Sequence, residues 1–154
     1  MTPHRIVSVP TEVAASVRKS LRDPKYGHPA YADIARGYGP CRVCLRKTVV
    51  GEQRILFTYD PFDGLEPYPL PSPVYVHATD CAAYRGDGFP EELRDLPLTF
   101  EAYERGRRLI AVERTGAQEQ VAPAIDALLA RADVDYLHVR NTEAGCYILR
   151  IERS

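Results

Sequence analysis

Two short clusters constrain this chain more than anything else in it: Cys41-x-x-Cys44 and His77-x-x-x-Cys81. Three thiols and one imidazole make one complete tetrahedral zinc shell. If both clusters hold one ion, segments separated by the 32 residues from Leu45 to Val76 must converge. A C-x-x-C pair grips an ion from a tight knuckle turn. His77 and Cys81 are four apart, so a helical turn, or a strand end plus turn, aims both at one point. The spacing between clusters exceeds that of typical zinc fingers, which requires Arg54 to Tyr59 to run beside Val74 to Ala78 while the loop between them bulges away. Cys41, Cys44, His77 and Cys81 are therefore the candidate metal ligands, with structural zinc as the candidate cofactor.

Two other readings of these residues stand beside the metal. Cys44 and Cys81 can be small buried apolar side chains, with His77 a hydrogen-bonded core histidine. Cys41 and Cys44 can also be a dithiol/disulfide pair. That motif needs a strand before it and a helix after it, whereas Gly37-Tyr38-Gly39-Pro40 precedes and Leu45 to Val50 is a poor helix. Four bound ligands close the shell and make the site structural. A released His77 or cysteine opens a position to water and hydrolytic chemistry. Asp80 is the nearest carboxylate in sequence. Arg42, Arg46 and Lys47 flank the knuckle, where they can offset the charge that three thiolates leave around a divalent ion, or simply be solvated.

At 154 residues the chain suits one domain, 1–154, large enough for a real core. Twenty basic against twenty-one acidic residues give a net charge of −1, which argues against nucleic acid and anionic membranes as partners. Seventeen arginines against three lysines fit either genome composition or recognition of anions. No apolar run reaches the roughly 18 residues of a membrane helix. The start, Met1-Thr2-Pro3-His4-Arg5, lacks the pattern of a secretory signal. The expected location is the cytoplasm, where close cysteines are metal ligands or redox groups rather than disulfides.

Along the chain, Arg5 to Val9 reads as a short strand. A helix from Thr11 carries Val13, Val17 and Leu21 at helical spacing and stops by Asp23-Pro24. Lys25 to Pro40 is irregular, with room for one helical turn over Ala30 to Arg36. Strands follow at Arg54 to Tyr59 and Val74 to Ala78, separated by a proline-rich loop, and a helical turn at Thr79 to Tyr84 carries Cys81. Gly86 to Pro97 is loop with an acidic turn at Glu91-Glu92. Leu98 to Arg105 and Arg108 to Arg114 are strands meeting at Gly106. Val121, Ile125, Leu128 and Leu129 mark a helix within Gln118 to Arg131, whose start Pro123 pushes towards Ala122. Asp135 to Asn141 and Cys146 to Glu152 form a hairpin about Thr142 to Gly145, with Gly145 suited to a positive φ. The expectation is an α+β single domain: a mostly antiparallel sheet of about six strands, two main helices and long irregular loops.

Outside the clusters, His138, Arg140 and Asn141 form a polar set which, with Tyr136 or Tyr147, can line a small anion pocket; the alternative is the solvent face of an edge hairpin. Cys146 reads as a packing cysteine, or as a nucleophile with His138 as base across the hairpin. Tyr26, Tyr31 and Tyr38 can cover a groove or the core.

Cys-Arg-Val-Cys-Leu at 41–45, Val-His-Ala-Thr-Asp-Cys at 76–81, His-Val-Arg-Asn at 138–141 and Gly-Cys-Tyr-Ile-Leu-Arg-Ile-Glu-Arg at 145–153 together resemble the bacterial domain-of-unknown-function family 1203. The resemblance covers nearly the whole chain. It departs at Pro71-Ser72-Pro73-Val74-Tyr75, where the family prefers Gly-Pro followed by an aliphatic residue and Phe. It implies a bacterial, cytoplasmic origin and supplies no reaction. The reading that results is a zinc-stabilised binding or adaptor module, its partner an unidentified protein or a small acidic ligand. The alternative is a small-molecule enzyme, either with an anion pocket around His138, Arg140 and a tyrosine or with an open zinc site at His77.

Overall fold

The clearest sequence signal, the C-terminal hairpin, sits at the centre of the larger of two sheets. A computed structural model describes residues 2–37, 39–62, 64–65 and 70–154; Tyr38 and two prolines of the long loop, Pro67 and Pro69, lie outside them. The elements in order are β1 (His4–Val7), α1 (Thr11–Ser20), β2 (Tyr31–Ile34), β3 (Gln53–Tyr59), β4 (Ser72–His77), a 3-10 turn (Glu91–Leu93), β5 (Leu98–Tyr103), β6 (Leu109–Thr115), α2 (Gln118–Leu129), β7 (Tyr136–Asn141) and β8 (Tyr147–Arg153). β1-β8-β7-β5-β6 form one sheet and β2-β3-β4 a second; every strand pair is antiparallel. The α+β architecture follows directly.

Period-2 alternation in β5, β7 and β8 divides the large sheet into two faces. Phe100, Ala102, Leu137, Val139, Leu149 and Ile151 pack with Val121, Ile125, Leu128 and Leu129 of α2 in the main core. The opposite face carries Tyr103, Tyr136 and His138, with Phe62 packed on them. A separate core joins α1, the knuckle and the small sheet: Ala14, Val17, Cys41, Val43, Ile55, Phe57, Val74 and Val76.

Several local expectations change. Residues 31–34 are strand β2 rather than a helical turn, because β3 offers a pairing edge and Asp33 meets Arg54 at 2.8 Å. Helix α2 starts at Gln118, not near Ala122. Gln120 Oε1 accepts the N–H groups of Gly116 and Ala117, fixing that start in the manner of a half capping box. Pro123, inside the helix, is exposed. Leu21 leaves the apolar stripe: it caps α1 in a left-handed conformation, φ 53°, and is exposed. Residues 79–84 form no helical turn.

A candidate metal centre where two strand ends meet a knuckle

The β3–β4 pairing sets Arg54 opposite His77 and so delivers His77 at the end of β4. β4 is the edge of its sheet, which is why Pro73 is tolerated in it. The knuckle closes over that edge. Arg42 N donates to Tyr75 O at 3.0 Å, and Arg42 O accepts from Val9 N at 2.9 Å. On the other side Tyr84 N donates to Val43 O at 3.0 Å, tying the segment that carries Cys81 to the same turn. The 32-residue gap is thus spanned by main-chain hydrogen bonds rather than by a compact finger.

The knuckle itself is a tight turn in which Leu45 N donates to Cys41 O and Cys41 N to Arg46 O. It needs one left-handed residue. Here that residue is Leu45, φ 58°, where glycine would be the low-strain choice. The Leu45 side chain is buried in the main core, and that burial offsets the strain.

The four candidate ligands come together. Sγ of Cys41, Cys44 and Cys81 and a ring nitrogen of His77 all lie within 4.8 Å of one another. A tetrahedral ion bound at usual zinc distances separates two sulfurs by about 3.8 Å, and sulfur from nitrogen by about 3.5 Å. Cys41 Sγ and Cys81 Sγ are 3.8 Å apart, and Cys44 Sγ and His77 Nδ1 are 3.5 Å apart. The donor set therefore fits a four-coordinate ion of zinc's size, and the group can hold a metal ion. Without one, the Cys41 thiol is held well below its usual range, chiefly by a hydrogen bond from the Cys44 thiol and further by backbone N–H groups of Cys44, His77 and Val43. Cys44 is raised by the same shared proton, and Cys81 is raised by burial and by the charge on Cys41.

Two groups around the ligands were not legible in the sequence. Glu52 Oε2 lies 3.2 Å from His77 Nε2, so Nδ1 is the nitrogen left facing the sulfurs. Glu52 is itself fixed by the backbone N–H of Val49. Arg18 of α1 donates to His77 O at 2.9 Å, approaches Cys81 Sγ at 3.6 Å and reaches Asp80 at 3.5 Å. Arg18 thus supplies the positive charge expected of the knuckle's own cations. Those are engaged elsewhere: Arg46 with Glu92, Lys47 with Asp95, and Arg42 buried, donating to the carbonyls of Tyr147 and Pro40.

A family model described as "Protein of unknown function (DUF1203)" matches residues 38–153. The chain belongs to this family. All four candidate ligands and Glu52 of this DUF1203 chain fall inside the matched span; Arg18 falls outside it. No curated protein and no solved structure matches the chain.

The second set of candidate residues in the DUF1203 chain is dispersed. His138 is wholly enclosed by Phe62, Tyr103, Tyr136 and Tyr147, with ring centroids 4.6 to 5.2 Å away. Neither ring nitrogen has a hydrogen-bond partner among the described residues. Burial, then the nearby Arg150 and Arg140, lowers its pKa to about 2, so the ring is neutral. Asn141 Oδ1 caps the hairpin turn by accepting from Glu143 N and Ala144 N. His138 stands opposite Arg150 in the register and not opposite Cys146, which lies in the turn beside Asn141. Arg140 borders a cleft together with Cys146.

Proposed function

We propose that this chain is a binding or adaptor module of the bacterial cytoplasm whose small sheet, knuckle and helix α1 are stapled by a structural zinc ion on Cys41, Cys44, His77 and Cys81. The observation that carries the reading is the convergence of four donor atoms within 4.8 Å from two distant segments, at separations suited to zinc. Three thiolates and an imidazole favour zinc among common intracellular ions. Four protein donors leave no position for a reactive water; the Glu52 carboxylate is occupied with the imidazole, and that of Asp80 faces solvent and Arg18. Both facts support a structural role over an open hydrolytic site. Against an enzyme using His138 stands its enclosure by four aromatic rings. Supporting a partner surface, Val49 and Val50 beside the knuckle and Ile34 on β2 are 67%, 69% and 57% exposed. The turn and strand are joined through Gly51 N to Ala35 O and Ala35 N to Glu52 O.

The test is elemental analysis of protein purified without added metal, with native mass spectrometry. One zinc per chain, lost together with a large drop in Tm in Cys41→Ser, is the expected result. A metal-free protein of unchanged Tm, or stoichiometric metal retained in that variant, refutes the zinc reading. For the binding role, a macromolecule copurifying at stoichiometry should be lost in Val49→Asp/Val50→Asp while Tm is unchanged.

A further inference from the structure

We infer that the cysteine cluster is also a redox switch: a hydroperoxide oxidises Cys81, and Cys41 resolves it into a Cys41–Cys81 disulfide. That bond takes over as the link between the knuckle and the segment after β4, and any bound ion is released. The switch rests on the zinc reading only for that ion; the bond itself needs the two sulfurs alone.

The geometry selects this pair. Cys41 Sγ and Cys81 Sγ are 3.8 Å apart although 40 residues separate them. A covalent S–S bond of about 2.05 Å asks them to close by about 1.8 Å. The Cys81 side can move, because residues 80–86 carry no helix or strand. Cys41 is the fixed partner. Its turn is held by Cys41 N to Arg46 O and Leu45 N to Cys41 O, and Arg42 ties it to Tyr75 O and Val9 N. His77 N donates to Cys41 Sγ at 3.3 Å. Cys44 lies in the same closed turn with its sulfur 3.5 Å from His77 Nδ1, and joining it to Cys41 would only link one turn to itself. The reacting pair is therefore not the C-x-x-C dithiol that the sequence also allows.

Access sets the order of events. Cys41 is wholly buried, whereas Cys81 is partly exposed, so the oxidant meets Cys81 first. Arg18 Nη2 lies 3.6 Å from Cys81 Sγ, and Arg18 Nη1 reaches Asp80, whose side chain is 99% exposed. A guanidinium at the water-facing rim of a sulfur is the setting of a reactive cysteine rather than an inert one. It also offers a charged donor to the oxygen that leaves.

The Cys81 thiolate attacks one peroxide oxygen. An S–O bond forms, the O–O bond breaks, and hydroxide departs beside Arg18 and takes a proton from solvent. The sulfur has given two electrons to the peroxide and is a sulfenic acid. The Cys41 thiolate then attacks that sulfur; the S–S bond forms, the S–O bond breaks, and a second hydroxide is protonated to water. Two thiolates, one hydrogen peroxide and two protons give one disulfide and two waters. In a reducing compartment such a bond is transient, and a thiol reverses it by exchange.

Hydrogen peroxide is added to the purified chain, remaining thiols are alkylated with N-ethylmaleimide, and tryptic peptides are mapped. Cleavage after Arg42 separates Cys41 from Cys44. The expected product is a Cys41–Cys81 disulfide, formed while Cys146, partly exposed but outside the cluster, stays reduced. Arg18→Gln slows that bond about tenfold, the loss of one charge-assisted hydrogen bond, at an unchanged Cys146 rate. In protein that carries zinc, a chromogenic chelator reports its release in step with the disulfide, and dithiothreitol restores binding. Protein isolated without zinc refutes the staple and leaves the disulfide map to decide the switch. A Cys41–Cys44 bond, Cys81 oxidised no faster than Cys146, or an Arg18→Gln rate equal to wild type overturns the proposal. If that variant does not fold, the first two outcomes decide.

Discussion

Glu52 Oε2 stands 3.2 Å from His77 Nε2, and that contact decides which face of the imidazole looks at the three sulfurs. A carboxylate on the far nitrogen fixes both the ring's tautomer and its orientation. The pair links the turn before β3 to the end of β4, so its strength bears on metal affinity.

If the four donors hold zinc as proposed, Glu52→Ala should weaken its binding 10–100-fold while leaving one site per chain, as loss of such outer carboxylates does elsewhere. Competition with a chromogenic chelator reads this directly. An unchanged affinity would show that Glu52 is a bystander.

Cys81→Ser should remove the metal and lower Tm by about 10 °C or more, since a lost staple worth about 3 kcal/mol or above shifts a domain of this size by that amount. The three cysteines pack with the smaller core and not with the main one, so circular dichroism should still report folded sheet. Acid should release zinc from wild type as the thiolates take protons. Complete unfolding of the variant would mean that the large sheet leans on the metal, contrary to the separation of the two cores.

Leu45→Gly sets two effects against each other. It relieves a left-handed residue, a gain of about 1–2 kcal/mol. It also empties a buried leucine position, a loss of about 2–5 kcal/mol. The loss is the larger, so the variant should be destabilised by about 2–3 kcal/mol in urea unfolding. Stabilisation would mean that the knuckle and not the core dictates residue 45.

His138→Phe should stabilise the protein by about 1–3 kcal/mol, because it replaces two unpartnered buried nitrogens with a ring suited to an aromatic enclosure. It should also flatten the acid limb. The folded-state pKa lies near 2 and the unfolded one near 6.5, so the unfolded chain binds the extra proton between them. The contribution of neutral His138 is whole above about pH 6.5 and falls by about 1.4 kcal/mol per pH unit on acidification towards pH 2. Urea unfolding of both proteins from pH 7 to pH 4 measures the difference. Parallel curves would show that His138 is solvated or bonded in solution.

Much of the fold is legible in the order of the residues. The β7–β8 hairpin is plain because alternation, a glycine and chain proximity are all local. Helix α2 shows itself through its apolar stripe, although proline rules misplace its start: they take no account of Gln120 capping the chain before it. β2 is invisible in the sequence because all four of its residues are exposed; a strand without a buried face leaves no periodicity, and only the edge of β3 makes it one.

The four donors and their chemistry belong to the sequence alone, since cysteine and histidine spacing is a covalent property of the chain. Their meeting, the burial of Arg42 and His138, and the service of Glu52 and Arg18 around the sulfurs belong to tertiary structure. Hydrogen bonds across a sheet edge and packing between faces join residues that no local pattern relates, and only the folded chain selects which of seventeen arginines turn inward and which meets a cysteine sulfur.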